Sequence, residues 1–217
     1  MTPSALRALF PSASYVAETV PRLVDDELFE SERAYIRASV PKRRAEFGAA
    51  RLLARDGFRA MGVRPVALVP SADGPPSWPA GVVGSITHTA GYCAVVLGRS
   101  PPVRSLGLDV ETLQELEAGI VDSILTPAER GWVRAQPRER QAELAVVFFS
   151  AKEAYYKCQY PITRRFLEFG DVELDVLYEQ GRFVATASPP GLARDVARLE
   201  GRFAFEGGRV LCGVELV

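Results

Sequence analysis

Asp109 and Glu111 stand two residues apart in the run Gly107-Leu108-Asp109-Val110-Glu111. Glu153 stands beside Lys152 and four residues before Lys157 in Phe149-Ser150-Ala151-Lys152-Glu153-Ala154-Tyr155-Tyr156-Lys157. In a strand, residues two apart project to one face, so Asp109 and Glu111 point together while Leu108 and Val110 face a core. Two carboxylates so close repel unless a cation or a basic group lies between them. A hard divalent ion suits the pair: magnesium needs few protein ligands and completes its shell with water and phosphate, and manganese accepts the same oxygens. On a helix, Glu153 and Lys157 share a face, and Lys152 lies about 100° round from Glu153. Glu153 can complete a metal site or take a proton from an attacking hydroxyl. The ammonium groups can neutralise phosphate oxygens. Each run also has a plainer reading, as a strand end with two solvated acids and as a surface Glu–Lys pair worth about 0.3–0.5 kcal/mol. The apolar company of Glu153 (Leu144, Val146, Val147, Phe148, Ala151 and Ala154) points instead to a cleft.

Arg44, Arg51 and Arg55 recur on one helical face, with Arg43 beside them. Such a stripe can grip phosphates through charge and fork geometry, or simply be a solvated basic face. His88, the only histidine, ends Gly84-Ser85-Ile86-Thr87-His88, a strand followed by a turn of small residues. There is no G-x-S-x-G elbow, no P-loop and no G-x-G-x-x-G.

The elements that must position these groups can be read from pattern. A short helix is expected over Asp25 to Ala38, after an irregular opening. A second runs from Val40-Pro41 to about Met61, with proline in its first turn and Gly62 as its stop. Strands are expected at Val82 to His88, Tyr92 to Leu97 and Arg104 to Glu111, the first two joined at Thr89-Ala90-Gly91. Thr126-Pro127-Ala128-Glu129 is a capping box. A long apolar helix spans Glu139 to Gln159, followed by strands at Asp171 to Tyr178, Phe183 to Ala187, and Arg202 to Val217 broken at Gly207-Gly208. The order predicts an α+β fold of two similar αβ halves, 1–102 and 103–217, each a small antiparallel sheet packed on helices, with the site in the cleft between them.

With 217 residues, 47% hydrophobic and 24% charged, the chain can bury a substantial core. A formal net charge of -1 gives no general attraction to nucleic acid or anionic membrane, so any anion must be met by local clusters. Three cysteines (Cys93, Cys158 and Cys212) form no C-x-x-C pair, which points to buried thiols in a reducing compartment. Neither a signal peptide nor an apolar run of about 20 residues is present, so a cytoplasmic protein is expected.

The order and spacing of these motifs resemble the 4′-phosphopantetheinyl transferase superfamily, specifically the single-chain, pseudo-dimeric type of siderophore and polyketide pathways. The matching runs are Lys42-Arg43-Arg44-Ala45-Glu46-Phe47 with Arg51, Trp78-Pro79-Ala80-Gly81, Gly84 to His88, Gly107 to Glu111, Thr126 to Glu129 and Phe149 to Lys157. The resemblance implies two halves related by a pseudo-two-fold axis. It implies transfer of the 4′-phosphopantetheine arm of coenzyme A to a serine hydroxyl of an acyl or peptidyl carrier protein, releasing adenosine 3′,5′-bisphosphate. It assigns Asp109, Glu111 and Glu153 to magnesium, Glu153 to the serine proton, and Lys157 to the pyrophosphate, with Lys152 at its edge. It assigns Arg43, Arg44, Arg51, Ser85, Thr87 and His88 to coenzyme A, chiefly its adenosine end and phosphates. A monomer suffices, since one chain holds both halves. Many relatives carry a lysine before the Trp-Pro motif, but Ser71-Ala72-Asp73-Gly74-Pro75-Pro76-Ser77 has none. The alternatives are a coenzyme A-binding regulator without transferase activity, and a nucleic-acid module using the arginine helix.

Overall fold

The computed structural model describes residues 4–71 and 74–217. Asp73, where the lysine is missing, lies outside the described residues. The fold is α+β, with two antiparallel sheets and helices packed on them.

The first half opens with a short helix, α1 (Ala5–Ala8), and a strand, β1 (Tyr15–Thr19). Neither was expected. Tyr-Val-Ala-Glu-Thr has strand composition, but at five residues it is too short to show a clear period. In place of one helix over Asp25 to Ala38, a 3-10 turn at Asp25–Glu27 precedes α2 (Glu30–Ile36). Leu28 and Phe29 between them are extended, and the Phe29 amide donates to Glu32 Oε2 at 3.0 Å. That local bond starts α2 afresh. The helix α3 (Pro41–Ala60) carries proline in its first turn and is followed by Gly62 at φ 66°. The hairpin β2 (Val82–Thr89) and β3 (Tyr92–Arg99) turns at Ala90-Gly91, where Gly91 has φ 68°. The sheet order is β1-β3-β2.

In the central strand β3, Val95 and Leu97 pack with Ala54 and Phe58 of α3. The alternate residues Ala94 and Val96 pack with Leu106, Leu108 and Val110 of the next strand, β4 (Ser105–Thr112). The core thus runs from one sheet to the other. The second half adds α4 (Ala118–Ile124), α5 (Pro127–Arg134), α6 (Arg138–Thr163), β5 (Val172–Leu177), β6 (Arg182–Ala187), α7 (Arg194–Ala197), β7 (Arg198–Glu206) and β8 (Arg209–Leu216). Its five-stranded order is β4-β8-β7-β6-β5. Gly207 and Gly208, at φ 58° and 72°, make the left-handed turn that a two-residue hairpin requires. Cys93, Cys158 and Cys212 are buried and unpaired. Among the described residues, no helix is long and apolar enough to cross a membrane.

α6 crosses β4 at Gly107. A Cβ built there would lie 1.9 Å from the Ala154 carbonyl oxygen and 2.8 Å from the Cys158 amide nitrogen, both backbone atoms of α6. Ser105, one pleat away, donates its hydroxyl to the Cys158 carbonyl at 2.6 Å. Gly107→Ala is therefore expected to lower stability by about 3 kcal/mol, the upper end of ordinary overpacking, because neither backbone can yield independently. Gly119→Ala meets nothing within 4 Å and should stay within about 1 kcal/mol of the parent. Urea midpoints measure both, and equal midpoints would show that the helix can back away from the strand.

Candidate active site

The site forms along a seam where β2 runs beside the outer edge of β4. Three pairs of groups stitch it. The Leu108 amide donates to Ser85 Oγ at 3.0 Å, Thr87 Oγ1 donates to Asp109 Oδ1 at 3.3 Å, and the Thr89 and Thr112 hydroxyls meet at 3.3 Å. Ser85, Thr87 and Thr89 share one face of β2 because they alternate along it. Two of the groups expected on coenzyme A, Ser85 and Thr87, thus first join the two sheets.

Asp109 is 3% exposed. Its Oδ1 accepts from Lys157 Nζ at 2.6 Å as well as from Thr87. Its Oδ2 is buried and has no hydrogen-bond partner among the described residues. Glu111 and Glu153 sense this charge. Burial, followed by the charges of Asp109 and Glu153 acting against the opposing pull of Lys157, pushes Glu111 from 4.5 up to about 7. Burial also raises Glu153, with Lys157 lowering it and Asp109 raising it. Among the described residues, no three His, Cys, Asp or Glu side chains stand together as a ready metal cage. The orphaned Oδ2 and two acids held above their usual range are nonetheless what a carboxylate set suited to a cation would show.

Lys152, expected beside the phosphates, is turned the other way. Its ammonium is buried and bonds the Ile124 carbonyl at 2.8 Å, Glu129 Oε2 at 2.7 Å and the Phe169 carbonyl at 2.9 Å. Those acceptors occupy all three of its N–H donors. The 100° between Lys152 and Glu153 on α6 is enough to send them to different surroundings.

The arginine face also turns inward. Arg44 is paired with Asp25. Arg55 Nη2 bonds the buried Glu32 at 2.9 Å, and its Nη1 donates to the Glu27 carbonyl at 2.6 Å. Arg51 donates through Nε to the Leu68 carbonyl at 2.9 Å, lies 3.6 Å over the Phe47 ring and is lowered to about 10 by burial. Of the expected set, Arg43 alone reaches His88, donating Nη1 to His88 Nε2 at 2.6 Å. Because Nε2 accepts, the ring proton sits on Nδ1, which faces Glu46 Oε2 at 3.5 Å. Burial lowers the His88 pKa; Glu46 opposes that shift, and Arg43 and Lys157 add to it.

Two cavities flank α6. One, of about 580 Å³, lies between β2 and α6 against Trp78, Ser85, Lys157 and Tyr160. The other, of about 500 Å³, lies beside Glu153, Phe166 and Phe169. Tyr156 lines both. Both volumes fall in the range of small-molecule sites. Sequence reasoning passed over Tyr156 and Glu46. Tyr156 carried a signal, an aromatic within one turn of both Glu153 and Lys157.

One family model, described as the 4′-phosphopantetheinyl transferase N-terminal domain, matches residues 31–98. Another, the 4′-phosphopantetheinyl transferase superfamily, matches residues 105–200. The chain belongs to the 4′-phosphopantetheinyl transferase superfamily. It is 35% identical over 216 residues to 4′-phosphopantetheinyl transferase Svp of Streptomyces mobaraensis, covering 96% of this chain and 88% of the relative. It is 40% identical over 198 residues to PptT of Mycobacterium tuberculosis, covering 85% and 84%. Npt of Nocardia iowensis is 32% identical over 220 residues, covering 96% and 98%. The first family match holds Arg43 and His88, and the second holds Asp109, Glu111, Glu153 and Lys157.

The Glu111 shift has a measurable consequence. Between pH 4.5 and about 7 the folded chain keeps a proton on Glu111 that the unfolded chain has lost. Stability from this group therefore falls as pH rises through that window and is level above it. Glu111→Gln cannot ionise. In chelated buffer its Tm should gain on the parent's between pH 4.5 and 7, read by calorimetry. A constant difference would mean that Glu111 titrates as an ordinary surface acid.

Proposed function

We propose that this chain transfers the 4′-phosphopantetheine arm of coenzyme A to a serine of an acyl or peptidyl carrier protein. The observation that carries the reading is the environment of Asp109. It is a carboxylate buried at the seam between two sheets, with Lys157 on one oxygen and no hydrogen-bond partner among the described residues on the other; Lys157 lines one of the two cavities and Glu153 the other. Membership in the superfamily and relatives named as 4′-phosphopantetheinyl transferases support it.

In this reading the serine oxygen bonds to the phosphorus that carries the arm. The bond from that phosphorus to the bridging oxygen breaks, and adenosine 3′,5′-bisphosphate leaves with the electron pair. Glu153 takes the serine proton, and its raised pKa brings it nearer the working pH of a general base. Lys157, already anchored on Asp109, stands where it can meet pyrophosphate oxygens in the cleft. Asp109, Glu111 and Glu153 would hold magnesium, or manganese. When bound, the ion would neutralise charge on the pyrophosphate and satisfy Asp109 Oδ2. Arg43 and His88 would meet a phosphate of the adenosine end, with Arg51 behind them.

We further propose that the halves divide at 1–102 and 103–217 about a pseudo-two-fold axis. The enzyme would act as a monomer in the cytoplasm, where three unpaired thiols are at home.

Intact mass spectrometry of apo carriers incubated with coenzyme A and magnesium tests the reaction. The arm should be added, chelation should stop the addition, and Glu153→Gln should lower the rate about a thousandfold while coenzyme A still binds. A near-parental rate in that variant would move the base elsewhere. Tight coenzyme A binding with no transfer to any carrier would leave a binding protein.

A further inference from the structure

Lys152 and Glu129 together reach four segments. Lys152 on α6 holds the carbonyl of Ile124 at the end of α4 and the carbonyl of Phe169 before β5. Glu129 Oε2 accepts from Lys152 and from the Thr126 amide at 2.8 Å, and its Oε1 accepts from the Leu174 amide of β5 at 2.7 Å. The side chains of both are almost wholly buried, at 1% and 2% exposure. The capping box of α5 is therefore more than a helix start: its carboxylate is shared with a cation from α6 and an edge strand.

Glu129 and Leu174 line a separate pocket with Trp132 and Phe148, whereas the Ile124 and Phe169 anchor points lie at the wall of the cavity beside Glu153. Ser123, next to Ile124, and Phe169 and Gly170 line that cavity, and Lys152 itself forms part of its floor. Glu153 follows Lys152 directly on α6, so any movement of the anchored wall changes the space in front of Glu153. With its three donors occupied, Lys152 has none left for a phosphate.

We propose that Lys152 and Glu129 form a positioning pair that sets the cavity wall relative to Glu153, and that Lys152 does not touch coenzyme A. The kinetic part of this proposal rests on the transferase reading above. The pair acts on the chemical step rather than on coenzyme A affinity, because the pyrophosphate is met by Lys157 on the other side of the helix.

Lys152→Met, Glu129→Leu and the double variant test it. Either single change strands a buried charge and can fail to fold, whereas the double change removes both charges together. The double variant, assayed well below its Tm, should bind coenzyme A within twofold of the parent Kd and lose at least tenfold in kcat. The single effects, where the proteins fold, should not add. A tenfold weaker coenzyme A Kd in Lys152→Met with parental binding in Glu129→Leu would place Lys152 on the substrate and overturn the proposal. Parental kcat in the double variant would also overturn it. Hydrogen exchange provides a readout independent of turnover. Amides at 121–126 and 169–174 should exchange faster in the double variant while β7 and β8 keep their protection, and unchanged exchange there would overturn the pair's positioning role. If the parent itself transfers nothing, the transferase reading fails and the exchange result still decides the anchoring.

Discussion

The backbone of α6 lies against the backbone of β4 at Gly107, and the site depends on that contact. A strand and a helix normally meet through side chains, about 10 Å axis to axis. Here the missing Cβ lets the Ala154 carbonyl take the place where a side chain would stand. The close approach brings Lys157 to within 2.6 Å of Asp109 and holds Glu153 on the same short stretch of helix. One pleat further along, Ser105 fastens the Cys158 carbonyl, so the approach is fixed at two levels. A longer residue at 107 would separate the acids from the helix that completes their chemistry.

Burying a carboxylate is costly unless charge and hydrogen bonds offset the lost hydration. The molecule offsets it unevenly. Glu32 accepts from Arg55 and from the Phe29 and Leu68 amides, and Glu129 from Lys152 and from the Thr126 and Leu174 amides. Both are fully engaged and hold segments together. Asp109 has Lys157 and Thr87 on one oxygen and, among the described residues, no hydrogen-bond partner on the other. Glu111 and Glu153 are held above their normal pKa range by burial and by this charge. The contrast separates carboxylates that complete a fold from those left to meet something else.

The same division runs through the basic residues. Arg44, Arg55 and Lys152 are drawn into pairs with Asp25, Glu32 and Glu129. Arg43 remains at the surface on His88, and Lys157 lines the cleft with a quarter of its side chain exposed. A helix rich in arginine is thus partly an internal brace for the N-terminal segment, and its N-terminal end, through Arg43 and Glu46, reaches His88.

Local chemistry was enough to show the hairpins, the α5 capping box, the long α3 and α6 helices and the alternation that sets Asp109 and Glu111 opposite Leu108 and Val110. Each of these is fixed by a turn residue, a cap or a side-chain period, all of which act within a few residues. The motif order was likewise enough to suggest the family. The sequence could not say where a helix's charged residues would find partners, because that depends on its rotation and on segments far along the chain. Lys152 and Lys157 look alike in the run Lys152-Glu153-Ala154-Tyr155-Tyr156-Lys157. Only the packing of α6 on β4 on one side, and on α4, α5 and Phe169 on the other, made one a partner of Asp109 and the other an anchor for the cavity wall. β1 and α2 were missed or misdrawn for a related reason. β1 depends on pairing with β3, and α2 is held by Glu32 bonds to Arg55 and Leu68, contacts that cross 23 residues for Arg55, 36 for Leu68 and at least 74 for the strand pairing.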